Sequence, residues 1–294
     1  MAQIIGVGIA TLDIINSVDG YPAEDAEVRA LSQRICRGGN ATNTLVVLSQ
    51  LGHHCQWAGV LSDEPDGQRI IDDLKQYQID ATLCRVVKGG KVPTSYITLN
   101  QKNGSRTIIH HRDLPEFSFD HFSQINLSSC DWLHFEGRNI RETEKMLAHI
   151  AANSPDLPCS LEIEKVRPGI RALFKYVGAL LFSKNYVLEH EDSDGVDGTV
   201  NFLQTLHREF PDKQIICTWG EDGAYGIDHH GIVYHAPPSP PANVIDTLAA
   251  GDTFNAAVID SLIKGQSTEE AIKNGCRIAG QKCGHVGLGF ISQS

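Results

Sequence analysis

A chain of 294 residues, 41% of them apolar and 21% charged, can form one large α/β domain or two small ones around a substantial core. Its formal charge of −11 excludes a broad nucleic-acid surface but leaves room for a local cationic phosphate site. No stretch approaches 18 uninterrupted apolar residues, so no membrane span is expected. The eight cysteines are scattered without a CxxC pair, and the N-terminus lacks a basic, cleavable leader; both point to reduced thiols and a cytoplasmic location.

In chain order, Ile4 to Ile9 reads as a buried strand, and Gly8 to Asp13 carries the chain off its end. Thr11 stands where GxGxxG needs its third glycine and no helix pattern follows, so a dinucleotide fingerprint is rejected. Asp13 is either a turn residue or an acceptor for hydroxyls. From Asn16 to Arg37 the chain is extended, with Val28, Ala30 and Ser32 alternating with Arg29, Leu31 and Gln33, which predicts a small two-faced sheet. RGGNATNTLVVLSQLG, from Arg37 to Gly52, predicts a tight turn at Gly38-Gly39, a cap at Asn40 and a helix stopped by Gly52. Asn40 and Asn43, three apart, share one face. Their amides can bind sugar hydroxyls, or they are a cap and a solvated asparagine.

HHCQWAGVLS predicts a second strand, and EPDGQRIIDDLKQYQI a helix with Ile70, Ile71, Leu74 and Tyr77 on its apolar face. Pro93 to Arg112 alternates around Lys102-Asn103-Gly104 as a hairpin, able to pair with 16–37 as a lid over a site. Arg106 and Arg112 give that hairpin cationic reach, or simply decorate its surface. DWLHFEGRN is a strand ending in Glu136, Gly137 and Arg138, followed by a helix over RETEKMLAHIAAN. PCSLEIEK and ALLFSKN repeat the theme, with Glu162, Glu164 and Lys165, then Lys184 and Asn185, at the strand ends. Ile215 to Thr218 is a further strand, with a Gly-Glu-Asp-Gly turn and a return strand. Repeated strand, polar end and helix predict a mainly parallel sheet covered on both faces, with ligands beyond the carboxyl ends of its strands. Asp13, Glu136, Arg138, Lys184 and Asp252 gather there.

The densest stretch is VIDTLAAGDTFNAAVIDSL, Val244 to Leu262. An amphipathic helix is expected from Phe254, with Phe254, Ala257, Val258 and Leu262 on one face and Gly265 as a stop. Ala249, Ala250 and Gly251 present N–H groups at the positive end of its dipole, which suits phosphate. Asp252 is either an N-cap or a base that takes a proton from the hydroxyl attacking that phosphate. Ser267 and Glu270 predict a capping box opening a last helix toward Cys283-Gly284.

Together these residues resemble the ribokinase-like, PfkB-type carbohydrate kinases, and within that family its ketohexokinase (fructokinase) members. Asp246 to Ala256, DTLAAGDTFNA, matches the DTxGAGD signature, and Arg37 to Asn43, RGGNATN, matches the N-terminal glycine-pair signature. Both in this order, about 200 residues apart, are highly specific. DGYPAEDAEVR at 19–29, NGSRTI at 103–108, HFEGRN at 134–139, EIEK at 162–165, FSK at 182–184 and KCGHVG at 282–287 are similar to the ketohexokinase members, so the resemblance spans nearly the whole chain.

The resemblance implies a single three-layer α/β/α domain over 1–294, with a mainly parallel sheet and a β lid from insertions at about 14–37 and 90–113. It also implies a homodimer through the lid, and ATP with magnesium as cofactors. The implied reaction moves the γ-phosphate of ATP to a primary hydroxyl of a ketohexose, fructose to fructose 1-phosphate. Ribose, 2-keto-3-deoxygluconate or adenosine are the other acceptors within the family, and a weakly active sugar-binding homologue is the alternative outside catalysis. Asp252 becomes the base, and Ala249, Ala250 and Gly251 the anion hole. Asp13, Gly39, Asn40 and Asn43 match sugar-binding positions, Asp25 one that reaches a neighbouring subunit's sugar, and Glu136 and Arg138 residues beside the sugar or its phosphate. Arg106, Lys184, Trp219, Gly220, Glu221, Gly223 and Thr247 match the nucleotide side.

Two features depart from the family. The first glycine of GAGD is Ala249. Alanine keeps its N–H, so the anion hole survives if φ there is negative; a positive φ costs roughly 1 kcal/mol or more. An active enzyme is expected. Asn185 and Glu189 are four apart and miss the family's NxxE spacing by one residue, which leaves the magnesium residues unassigned.

Overall fold

The apolar strand runs are buried on both faces because helices cover both sides of the sheet they form. The computed structural model describes residues 1–189 and 196–291. Its main sheet has the order β14 (Val233–Ala236), β13 (Ala224–Ile227), β12 (Gln214–Thr218), β11 (Ala179–Phe182), β10 (Cys159–Ile163), β9 (Trp132–Glu136), β1 (Gln3–Val7), β4 (His54–Ala58). The strands from β12 to β4 are parallel, and β13 and β14 continue antiparallel. Alternate residues feed two cores. Ile4, Leu181 and Ile216 pack toward α1 (Asn40–Gln50), α2 (Pro65–Gln76), α7 (Ala250–Ile263) and α8 (Thr268–Cys283). Ile5, Leu180 and Ile215 pack toward α3 (Phe119–Phe122), α4 (Ile140–Asn153), α5 (Lys184–Leu188) and α6 (Val196–Glu209).

A second sheet stands beyond the carboxyl ends of the parallel strands, in the order β3 (Ser32–Gly38), β2 (Thr11–Val18), β7 (Thr94–Asn100), β8 (Arg106–His111). The hairpin expected at 93–112 is β7 and β8, and it pairs with β2 as expected, in parallel. Strand structure resumes only at Ser32, however. Residues 21–31 are exposed and form no ladder, so the alternation read from Val28 meets a partner strand only from Ser32 onward. HHCQWAGVLS likewise splits at Gly59, where a Cβ would stand 2.2 Å from the Trp57 ring. Its second half, β5 (Val60–Ser62), pairs with β6 (Arg85–Val87) in a separate ribbon.

The helices that open the two signatures are not amphipathic. Ala41 to Ser49 of α1 and Asp252 to Ser261 of α7 are buried all round, because α7 lies between α1 and α8. Embedded helices lose the polar stripe that periodicity looks for. The Ser267–Glu270 capping box is present at the head of α8 as expected.

Candidate active site

The turn before α7 settles one alternative at once. The N-cap of α7 is Ala249, so Asp252 is the third helical residue and caps nothing. Its carboxylate is buried and accepts a 2.7 Å hydrogen bond from Asn43 Nδ2 of α1. Burial pushes the Asp252 carboxyl up to about 7; the Asn43 hydrogen bond and Arg37 oppose that shift, and Glu164 and Glu136 reinforce it. A carboxylate balanced near neutral pH binds a proton more readily than an ordinary aspartate, as a general base needs.

Ala249 takes the costlier of the two conformations, φ +61° and ψ +17°. This left-handed residue swings the chain from the turn into the helix. The N–H of Ala250 points back to Thr247 O at 3.3 Å. Among the described residues the N–H groups of Ala249 and Gly251 have no protein acceptor. A Cβ at Gly251 would meet nothing within 4 Å, so the turn faces open space there. Of the three residues expected to form the anion hole, two have N–H groups free for a ligand and the third helps shape the turn.

Asn43 is held from the other side. Its Oδ1 accepts from Arg37 Nη1 at 2.7 Å, and Arg37 Nε is 2.5 Å from Asp73 Oδ2. This chain fixes the amide so that its N–H₂ end meets Asp252. Asn40 is the first residue of α1 and not its cap, which is Gly39 with φ +105°. Asn40 Nδ2 reaches Glu162 Oε1 at 3.1 Å and Glu164 Oε2 at 3.3 Å at the end of β10. Glu162 also accepts from Asn255 at 3.3 Å, while its Oε2 is buried without a partner. Burial and then the charge of Asp252 raise the Glu162 carboxyl well above the usual carboxylate range.

Asp13 lies within β2, which removes the turn reading. Its carboxylate accepts from Thr11 Oγ1 at 2.8 Å, and burial raises its pKa. A Cβ at Gly38 would come within 2.1 Å of Asp13 Oδ2, so the first glycine of the pair makes room for this acid. Glu136 ends β9, accepting from Ile9 N at 2.9 Å in space left by Gly8, and lies 3.4 Å from Arg138. Burial raises its pKa too.

A cleft of about 540 Å³ runs between the small sheet and the strand ends. It brings together Asp13, Gly39, Asn40, Asn43, Arg106, Arg138, Thr247, Ala249, Ala250, Gly251 and Asp252. Glu136 stands behind Arg138 rather than on the wall. Five residues expected on the nucleotide side do not line the cleft. Lys184 is 5.2 Å above the ring of Trp219, which is itself buried in the core, and Gly220 and Glu221 are exposed beyond it. Gly223 is buried, and a Cβ there would stand 2.0 Å from Ala236 O. Asp25 is exposed on the 19–31 loop and outside this chain's own cleft.

The chain matches the model of the pfkB family carbohydrate kinases over residues 1–294. The chain belongs to that family. It is 41% identical to the ketohexokinase of Mus musculus over 98% of each chain. Two solved ribokinases share the fold. One, from Cryptococcus neoformans in complex with ADP, has a TM-score of 0.80 at 18% identity and covers 98% of this chain and 95% of its own. The other, from Arabidopsis thaliana with ribose and ATP, has a TM-score of 0.79 at 18% identity, covering 97% and 94%. The ribokinase-like fold and the carbohydrate-kinase assignment expected from the two signatures therefore hold.

In this PfkB kinase, sequence reasoning gave no role to Arg37, Asp73 and Asn255, and placed Glu162 at a strand end without assigning it one. Arg37 carried a signal, as the residue before the glycine pair. Asp73 carried none, since it reads as a solvated position of α2. Asn255 was hidden inside an apolar helix pattern, and only the placement of α7 between α1 and α8 brings its amide to Glu162.

Proposed function

We propose that this carbohydrate kinase transfers the γ-phosphoryl of ATP to a primary hydroxyl of a ketohexose, fructose before others, giving fructose 1-phosphate. The observation that carries this reading is Asp252 at the cleft floor, locked by Asn43, within one turn of the N–H groups of Ala249 and Gly251, which have no acceptor among the described residues. A hydroxyl placed between them loses its proton to Asp252 as it attacks. The developing charge on the transferring phosphoryl meets N–H donors that are already oriented, and such positioning is most of what phosphoryl transfer requires. Asp13 and Asn40 hold the sugar's other hydroxyls, Arg138 lies beside them, and Arg106 and Thr247 face the nucleotide phosphates. The 41% identity to a ketohexokinase supports the ketohexose over ribose or a nucleoside.

Among the described residues no three His, Cys, Asp or Glu side chains form a metal cage. Magnesium would enter this cleft with ATP and keep much of its water, as its reluctance to dehydrate favours, and would supply positive charge to the transferring phosphoryl. The small sheet is the lid, and it pairs with the lid of a second copy. Its cross-strand row Ile35, Ile14, Tyr96 and Ile109 supports this, since three of the four are 46%, 43% and 69% exposed. In that dimer Asp25 reaches the partner's sugar. No helix among the described residues is long and apolar enough to cross a membrane, and we place the enzyme in the cytoplasm.

A panel of sugars and nucleosides with coupled ADP detection tests the assignment. Fructose is expected to give the highest kcat/KM; a preference for ribose or adenosine overturns the ketohexose.

A further inference from the structure

Lys282 of α8 is fully buried, yet the chemistry above does not use it. Its Nζ donates to Asp246 O at 2.6 Å and lies 3.4 Å from Asp246 Oδ2. Asp246 opens the turn that carries Ala249 and Gly251. Its side chain organises that turn: Oδ1 accepts from Leu248 N at 2.9 Å, and Oδ2 from Gly287 N at 3.0 Å. Cys283 O, at the end of α8, accepts from Ile245 N and Asp246 N. These contacts come from the main body of the molecule. One does not. Arg34 Nη2, from β3 of the small sheet, donates to Asp246 Oδ2 at 3.0 Å. Among the described residues it is the only hydrogen bond between the small sheet and residues 246–252.

We propose that Arg34, acting through Asp246, is a positioning residue for phosphoryl transfer. It ties the sheet that carries Asp13 to the turn that carries the phosphate-facing N–H groups, so that the seating of the sheet over the sugar sets the aim of the anion hole. The inference rests on the phosphoryl-transfer reading of that turn. Lys282 and Arg34 have separate tasks in it. Lys282 holds Asp246 from inside through its backbone O and Oδ2, so the turn stays built when Arg34 is removed. Arg34 is a third exposed and reaches from a different sheet, so its loss uncouples the two parts without opening a core. Coupling of this kind is reciprocal: a sugar that seats the sheet tightens binding at the turn, and the reverse.

The test is steady-state kinetics of Arg34→Gln and Arg34→Lys, with calorimetric titration of magnesium-ADP-aluminium fluoride in the presence and absence of the preferred sugar. For Arg34→Gln, kcat is expected to fall about tenfold while the sugar KM moves less than about twofold, since misaiming by about an ångström acts on the transition state. Sugar is expected to tighten the fluoride complex in the wild type and to lose that effect in Arg34→Gln. Arg34→Lys, which keeps a cation within reach of Asp246, is expected to recover most of both. Unchanged kcat and unchanged sugar coupling in Arg34→Gln overturn the inference, as does a raised sugar KM at wild-type kcat, which makes Arg34 a sugar-binding residue. A wild type that forms no acceptor-dependent ADP overturns the kinase reading, and this inference falls with it.

Discussion

Asp252 shows how one carboxylate is tuned by its surroundings, and its protonation carries two predictions. The folded state raises its pKa from 3.8 to about 7, so the fold binds this proton more tightly than the unfolded chain does. That contribution is complete below pH 4 and is lost as pH rises to 7, which makes the ionised, reactive form a cost to stability. Asp252→Asn is therefore expected to melt roughly 2–4 °C higher at pH 8, read by calorimetry. The same variant is expected to lose about 10²–10⁴-fold in kcat with sugar affinity largely kept. Wild-type kcat/KM should fall on the acid side of pH 7; near-normal turnover in Asp252→Asn removes it from the base role. Ala249 is the other telling residue. A left-handed alanine costs roughly 1–2 kcal/mol, whereas glycine accepts that φ but loses more entropy on folding. Ala249→Gly should leave stability within about 1 kcal/mol, measured by urea unfolding, with activity equal to or above wild type.

At the scale of elements, α1 and the strand before it act as arms that deliver polar groups to one point. The glycine pair has two separate tasks. Gly39 supplies the positive φ that starts α1, and Gly38 leaves the space that Asp13 fills. Gly38→Ala is expected to displace Asp13 and raise the sugar KM by tenfold or so, with kcat less affected. Asn43 reads in the sequence as a sugar-facing amide, but the fold spends its Oδ1 on Arg37 and one N–H on Asp252. Asn43→Ala keeps the helix but removes a neutral donor that favours ionised Asp252. The acid limb of the kcat/KM profile should move to higher pH, and an unmoved limb argues that Asn43 serves the sugar alone. The elements themselves were largely legible: β1, β7, β8, β9, β10, β11 and β12 fall where apolar runs and alternation place them. Periodicity failed where it had nothing to act on. The alternation that starts at Val28 has no partner strand before Ser32, and α7 is buried on every side.

At the scale of the molecule, the cleft lies between a mainly parallel sheet and a smaller sheet whose outer row is apolar. We expect Ile109→Asp to convert a dimer to a species near the 32.2 kDa of one chain in analytical ultracentrifugation, since a charge in a buried interface core is poorly tolerated. A wild type already monomeric at that mass sinks the lid-to-lid pairing. The local codes in the sequence settled much of this protein: glycine where φ must be positive or space must be left, strand runs buried on two faces, the Ser267–Glu270 cap, and two signatures that announce phosphate and sugar chemistry. The tertiary structure decided what depends on distance across the chain. It placed Asn43 against Asp252, 209 residues away, drew Arg37 to Asp73, and set Arg34 on Asp246. It also gave Ala249 its left-handed turn, because the direction in which α7 leaves the turn is fixed by packing against α1 and α8, and no local preference of alanine requests it.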